Sequence, residues 1–237
     1  MKQIPSTVFK FPSKAEEQVF NLLSNLDLGN EWVALHSLNC SEHAYKQWCE
    51  IDFLLVGTEG IYVLEVKGGG ISYEGGLWHH VNRYGKTNVN TEGPFNQAKS
   101  ARFAIETILN EKFGLSVFEK KPVFGFGVVF PDIPWKVDTP EMPREIVADS
   151  TQCVSPHQFE KYLTGLRSYW KKKKKFGSEA GLTASDRKRL VHILRPNVDL
   201  YPPFTLRLGQ VTQQMQTLTE EQFERLDMIE ANRQAII

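Results

Sequence analysis

Apolar residues in the stretch 13–26, SKAEEQVFNLLSNL, recur at Ala15, Val19, Leu22, Leu23 and Leu26, the spacing of a helix with one buried face. Ser13, directly after Pro12, is placed as its N-cap. The pattern then shifts to strands. Glu31–Leu38 predicts one, 41–48 reads as a polar connection, and 50–69 (EIDFLLVGTEGIYVLEVKGG) carries two β-rich apolar runs flanking Gly57-Thr58-Glu59-Gly60, which predicts a hairpin. A second hairpin is expected over 71–81, where Gly75-Gly76 supplies the positive φ angles of a tight turn. The two hairpins together predict one sheet that grows as a meander.

Pro94 opens a predicted helix over 94–113, and 121–130 (KPVFGFGVVF) reads as a buried strand. A proline-rich loop follows over 131–143, then a short strand at 144–148, a helix at 155–175 with a lysine-rich end, and a helix at 183–194 before Arg195-Pro196. Strands alternating with helices give the α/β class, with a central mixed sheet flanked by helices. Tyr201-Pro202-Pro203 marks a change of composition. The expected organisation is a main domain over 1–198, a linker over 199–217, and a helix with the start of a strand over 218–237.

Composition narrows the partners. The 237 residues carry 28 Lys+Arg against 28 Asp+Glu, so any nucleic-acid contact must come from a local patch and not from an overall field. Cys40, Cys49 and Cys153 are odd in number and widely spaced, which disfavours a disulfide framework or a thiolate metal site and fits a reducing compartment. No apolar run is long enough to be a secretory signal or to span a bilayer, so a cytoplasmic protein without a membrane partner is expected.

The chemistry concentrates in the first hairpin. With Gly57 and Gly60 closing the loop, Val56 faces Ile61, Leu54 faces Val63 and Asp52 faces Glu65. Alternation then sets Asp52, Glu65 and Lys67 on one side of the sheet, among Leu54, Val56, Ile61 and Val63. Like charges opposite one another on an oily surface are destabilising and need compensation. Mg²⁺ fits, since it takes oxygen ligands and is commonly held by one or two carboxylates plus substrate phosphate. Lys67 can then hold a phosphate oxygen or assist an attacking water. The plainer alternative is a pair of exposed strand acids, one of them paired with Lys67.

At ~100° per residue, Glu16 lies roughly 60° from the centre of the first helix's apolar stripe and Glu17 roughly 160° away, so Glu16 faces inward. Ser13-x-x-Glu16 also matches a capping box, and the two roles compete for one rotamer. Gln97 lies about 60° from the stripe of its own helix. It sits near the N-terminus, where it can orient a phosphate or a water, or serve simply as a boundary amide.

In order and spacing, AEEQVF, EIDFLLVGTEGIYVLEVKGG and GPFNQA resemble the nuclease-related domain, NERD, of the PD-(D/E)xK restriction-endonuclease-like superfamily, over roughly residues 13–110. The resemblance implies a restriction-endonuclease-like core and a metal-dependent deoxyribonuclease using Mg²⁺ or Mn²⁺. Carried over by motif, Asp52 and Glu65 are metal ligands with the backbone of Val66, Lys67 is the catalytic lysine, Glu16 the helical acid and Gln97 the glutamine. The chain departs from the pattern at Ala15, where glycine usually precedes the helical acid, and at Gly93-Pro94-Phe95-Asn96, where Asn-Pro is usual.

The tail, LTEEQFERLDMIEANRQAII, is similar to the adenine-reading Q-motif helix and first strand of superfamily 1 helicases, with Gln222 as the reader. This implies DNA and a helicase domain, in cis or in trans, as partners, in repair or in defence against foreign DNA. The sequence stops before any Walker A loop, so no ATP hydrolysis is expected, whether it is a segment of a longer nuclease-helicase or a natural truncation; a plain C-terminal helix is the simpler alternative. A non-cleaving DNA-binding or docking module that positions a helicase is the alternative. Lys171, Lys172, Lys173, Lys174 and Lys175, beside Tyr169 and Trp170, form a candidate DNA contact, or else a solvated helix end favoured by the macrodipole. His79 and His80 point to opposite sides of a strand and read as structural.

Overall fold

A computed structural model describes residues 1–28, 31–40, 49–81, 85–114, 122–173, 181–198 and 204–234. The chain divides into two compact units, Met1–Pro196 and Asn197–Ile237.

The first unit is built on a six-stranded mixed sheet. Its order is β1 (Lys2–Ile4), β2 (Val33–Cys40), β3 (Cys49–Val56), β4 (Gly60–Val66), β8 (Val123–Val129) and β9 (Val147–Ala148). The β2–β3 and β3–β4 pairs are antiparallel, whereas β4–β8 and β8–β9 are parallel. Every residue of β4 and β8 is buried, as expected of central strands covered on both faces. The polar connection expected over 41–48 lies outside the described residues.

Helices cover both faces. α1 (Lys14–Ser24), capped by Ser13 as expected, packs Phe20 against His36, whose ring meets Phe53. α3 (Pro156–Lys173) lies on that same side, where Gly127 makes room for the Tyr162 hydroxyl. α2 (Pro94–Phe113) takes the other side, with the Arg102 guanidinium 6.0 Å from the Phe124 ring. Phe124 and Val128 are register partners of Ile61 and Glu65, so α2 and the Glu65 side chain share one face. α4 (Ala184–Leu194) closes the unit with a full capping box between Thr183 and Asp186.

The meander expectation fails. β5 (Gly70–Glu74) and β6 (Leu77–Val81) form the predicted hairpin, and both Gly75 and Gly76 have positive φ, but they join β7 (Thr87–Asn90) in a separate three-stranded sheet. Gly69, with φ of 79°, turns the chain out of the main sheet directly after β4. β7 escaped the sequence reading because TNVN is short and polar. The short strand expected at 144–148 is a 3-10 turn over Arg144–Ile146 followed by β9.

In the second unit, α5 (Phe204–Gln234) is one helix. It occupies most of the stretch expected as a linker and begins well before Leu218; the expected strand start at 235–237 lies outside the described residues. Met215, Leu218, Phe223, Leu226, Met228 and Ile229 are exposed along it. Among the described residues no helix is long and apolar enough to cross a membrane.

Candidate active site

Two gaps in hydrogen-bonded ladders make room for the central acid. Between β3 and β4, Leu54 faces Val63 and Val56 faces Ile61 as expected, yet the ladder ends at Phe53–Leu64. Between β2 and β3 the pairs His36–Phe53 and Leu38–Ile51 flank a missing rung at Ser37 and Asp52. Ser37 has φ of 50°, uncommon for a residue other than glycine. The Arg195 guanidinium clasps this distortion, donating to the carbonyls of Ile4 (2.9 Å), His36 (2.8 Å) and Ser37 (2.8 Å).

Asp52, half-buried, therefore does not pair with Glu65 across a regular rung. Its Oδ2 accepts the backbone N–H of Val66 at 2.7 Å. Glu65 is buried, and its Oε1 lies 2.7 Å from Lys67 Nζ. The strand exit is fixed by two further bonds: Lys67 N–H donates to the Val129 carbonyl at 2.9 Å, and Gly69 N–H to Asp132 Oδ2 at 2.6 Å. The three residues are thus brought together at the end of the sheet, with Lys67 engaged by Glu65.

The electrostatics follow from burial. Desolvation, then the nearby charge of Glu65, holds the Asp52 carboxyl well above the usual carboxylate range, against the lowering effect of Val66 N–H. Burial also raises Glu65, with Lys67 opposing and Glu16 and Glu92 adding to the rise. Burial alone would lower Lys67; its pairing with Glu65, reinforced by Asp52 and Glu16, raises it instead. One ammonium thus serves several acids.

Of the two roles weighed for Glu16, the side chain takes the inward-facing one. Its backbone N–H donates to Ser13 Oγ at 3.1 Å, and its Oε1 accepts the Ser13 hydroxyl at 3.0 Å. Its Oε2 is 3.5 Å from Nε2 of the buried His36. Ser13 thus caps the helix with its own side chain, and the Glu16 carboxylate faces inward. Gln97, in the first turn of α2, has a buried Oε1 with no hydrogen-bond partner among the described residues.

Lys171, the first of the lysine run, is drawn to the turn end of the hairpin. Lys171 Nζ is 3.2 Å from Glu59 Oε1, and Arg167 holds the other oxygen of that carboxylate at 3.1 Å. Glu59 sits in the β3–β4 turn, about 20 Å along the strand from Glu65 at ~3.3 Å per residue. Lys172 and Lys173 are exposed, and Lys173 Nζ is 5.8 Å from the Tyr169 ring. Lys174 and Lys175 lie outside the described residues.

Sequence reasoning missed His36, Asp132 and the placement of His80. His80 lies near enough to Lys67 that burial and the ammonium charge together hold its imidazole below the usual range. No spacing signal marks these three, because each arrives from a different element. Among the described residues no group of three or more His, Cys, Asp or Glu side chains is arranged to hold a metal ion. Any cation here would rely on two carboxylates, backbone oxygen, water and substrate.

A mixed sheet sandwiched by helices, with two acids and a lysine at the end of its central hairpin, defines the class as an α/β protein with a nuclease-like core. The family model of the nuclease-related domain, NERD, matches residues 12–131, and the chain belongs to that family. The match runs from α1 to the end of β8 and contains Glu16, Asp52, Glu65, Lys67 and Gln97. No curated protein and no solved structure matches the chain.

Proposed function

We propose that this nuclease-related protein is a metal-dependent deoxyribonuclease of the PD-(D/E)xK type, the nuclease part of a nuclease-helicase acting in repair or in defence against foreign DNA. The observation that carries the reading is the burial of Glu65 beside Asp52 and Lys67, an acid pair with less positive charge around it than it needs. The donor set is all oxygen, which suits Mg²⁺ or Mn²⁺, and Asp52, Glu65 and the Val66 carbonyl would hold the ion. When bound, such an ion neutralises charge on a phosphoryl group and acidifies water.

The chain's own residues supply the rest. Lys67 holds a non-bridging phosphate oxygen, a contact that frees Glu65 from its present pairing. Gln97 offers its unpartnered Oε1 as an acceptor that orients an attacking water. Glu16, fixed through Ser13 and beside His36, adds negative charge that keeps Lys67 protonated.

A second reading, a non-cleaving DNA-binding or docking module for a helicase, is favoured by a different observation: Lys67 is already engaged by Glu65 and Asp52 by the Val66 N–H. Cleavage of single-stranded, duplex and branched DNA in Mg²⁺, Mn²⁺ or EDTA separates the two. The nuclease reading expects metal-dependent cutting that Asp52→Ala and Lys67→Ala abolish. A wild-type protein that binds DNA and cuts none of these substrates supports the module.

A further inference from the structure

The main sheet has an open edge close to the acids. β8 pairs with β4 along its whole length but meets β9 only at Val128 and Val129, so among the described residues no strand lies along its outer side from Val123 to Gly127. Such an edge needs cover. Trp170 supplies it, donating its indole N–H to the Phe126 carbonyl at 2.8 Å. Gly125 permits the approach, since a Cβ there would stand 2.6 Å from Trp170 Cδ1 and 2.7 Å from Tyr62 Cδ1. α3 therefore ends in an edge-to-face pair, Tyr169 and Trp170, both half-exposed.

The small sheet brings a second pair, Tyr73 and Trp78, with ring centroids 4.7 Å apart; Trp78 continues to Phe95 at the start of α2. Between these walls and Phe126 lies a cleft of about 460 Å³. Lys99 and Lys173 also line it, with Glu141 as the opposing acid. Tyr73 is 47% exposed, so its ring face is available to a ligand.

The cleft reaches the candidate active site in two ways. Phe126 stands two residues before Val128, the register partner of Glu65, which sets the two backbones about 8 Å apart at ~3.3 Å per residue and ~4.8 Å between strands. Phe95 and Asn96, in the turn of α2 that carries Gln97, line the cleft. Ring faces interleaved with ammonium groups suit an unpaired nucleic-acid strand, whose bases stack while its phosphates meet the cations. A closed duplex hides its base faces from such a wall.

We infer that this cleft binds unpaired nucleotides of a DNA strand adjoining the bond presented to Asp52, Glu65 and Lys67, with bases on Tyr73, Tyr169 and Trp170 and phosphates at Lys99 and Lys173. The inference rests on the nuclease reading for the strand's polarity toward the acids, but its binding test does not need cleavage. The substrate class is single-stranded DNA or the single-stranded arm of a branched DNA.

Fluorescence anisotropy in EDTA, with a labelled oligothymidine and a blunt duplex of equal length, tests it. The wild-type protein binds the single strand more tightly than the duplex. Tyr73→Ala and Tyr169→Ala each weaken single-strand binding roughly 5- to 150-fold, and Tyr73→Phe, which keeps the ring, restores it. Removing both ammonium groups, as Lys99→Gln with Lys173→Gln, lowers the slope of log affinity against log salt by about 1.4. Equal affinity for strand and duplex, or wild-type affinity in both alanine variants, overturns the cleft. If Asp52→Ala stops cleavage while those variants bind normally, the cleft alone fails. If nothing is cut yet the alanine variants lose binding, the nuclease reading alone fails.

Discussion

The Lys67 ammonium lies 2.7 Å from the carboxylate of Glu65, two residues back in β4, whereas the Asp52 carboxylate accepts the Val66 N–H at 2.7 Å. The two acids are therefore unequal. Lys67 and Glu65 form a charge-assisted contact, whereas Asp52 is left with burial and a neighbouring negative charge that both favour its protonated form.

Asp52→Asn is expected to stabilise the protein in EDTA at neutral pH. The amide oxygen can still accept the Val66 N–H, and the cost of ionising a buried acid disappears. Because the folded-state pKa is raised, the folded state holds its proton where the unfolded chain has lost it, and stability falls as pH rises above the unfolded value near 3.8. The advantage of the variant is thus absent below that value, grows through the folded pKa and is full above it. Thermal unfolding across pH checks this; a constant difference between the two proteins would contradict it.

Mg²⁺ or Mn²⁺ is expected to stabilise the wild-type protein by about 2.7 kcal/mol at a hundredfold excess over Kd, and so to raise its Tm in a concentration-dependent way. Asp52→Asn reduces that shift. An identical response in the two proteins would remove the ion from this site.

Arg195→Ala is expected to cost about 2–4 kcal/mol, since three backbone carbonyls lose a charged donor. Arg195→Lys recovers little, because one ammonium cannot reproduce the planar fork that spans β1 and the Ser37 distortion. Urea unfolding measures the cost. Reduced cleavage in a variant that remains folded would tie the clasp to the placement of Asp52.

Asp149 is buried and accepts from Trp135 N–H, Thr151 N–H, Thr151 Oγ and Arg144 Nη2 at 2.6–2.9 Å. Burial acts to raise its pKa, but the bonds from Thr151 and Trp135 and the charge of Arg144 outweigh it and lower the pKa. Its contribution is present above the unfolded value near 3.8 and is lost as pH falls through the folded pKa. Asp149→Ala should cost about 1–3 kcal/mol at neutral pH, since buried backbone donors lose their acceptor while Arg144 keeps access to water. It should also flatten the acid limb of a stability-against-pH curve.

Gly125→Ala is expected to destabilise by about 1–3 kcal/mol, because the new Cβ meets the Trp170 and Tyr62 rings at 2.6 and 2.7 Å. Chemical denaturation checks the cost. A neutral substitution would mean that Trp170 is not held against the edge of β8.

Local rules made much of the first unit legible. Ser13 caps α1, Gly75-Gly76 closes β5 and β6, and Leu54–Val63 with Val56–Ile61 set the hairpin register, because period, cap chemistry and turn geometry depend on residues within a few positions of one another. The same reasoning placed Asp52, Glu65 and Lys67 on one rim. Other features depended on contacts far apart in sequence. Gly69 sends the second hairpin into its own sheet, Ser37 and Arg195 open the gap at Asp52, His36 meets Glu16, and Glu59 draws Lys171 to the opposite end of the hairpin. Period and turn geometry were enough to gather the two acids and the lysine; packing between distant segments settled which charge meets which, since pairing energy depends on distances and desolvation that alternation along a strand does not encode.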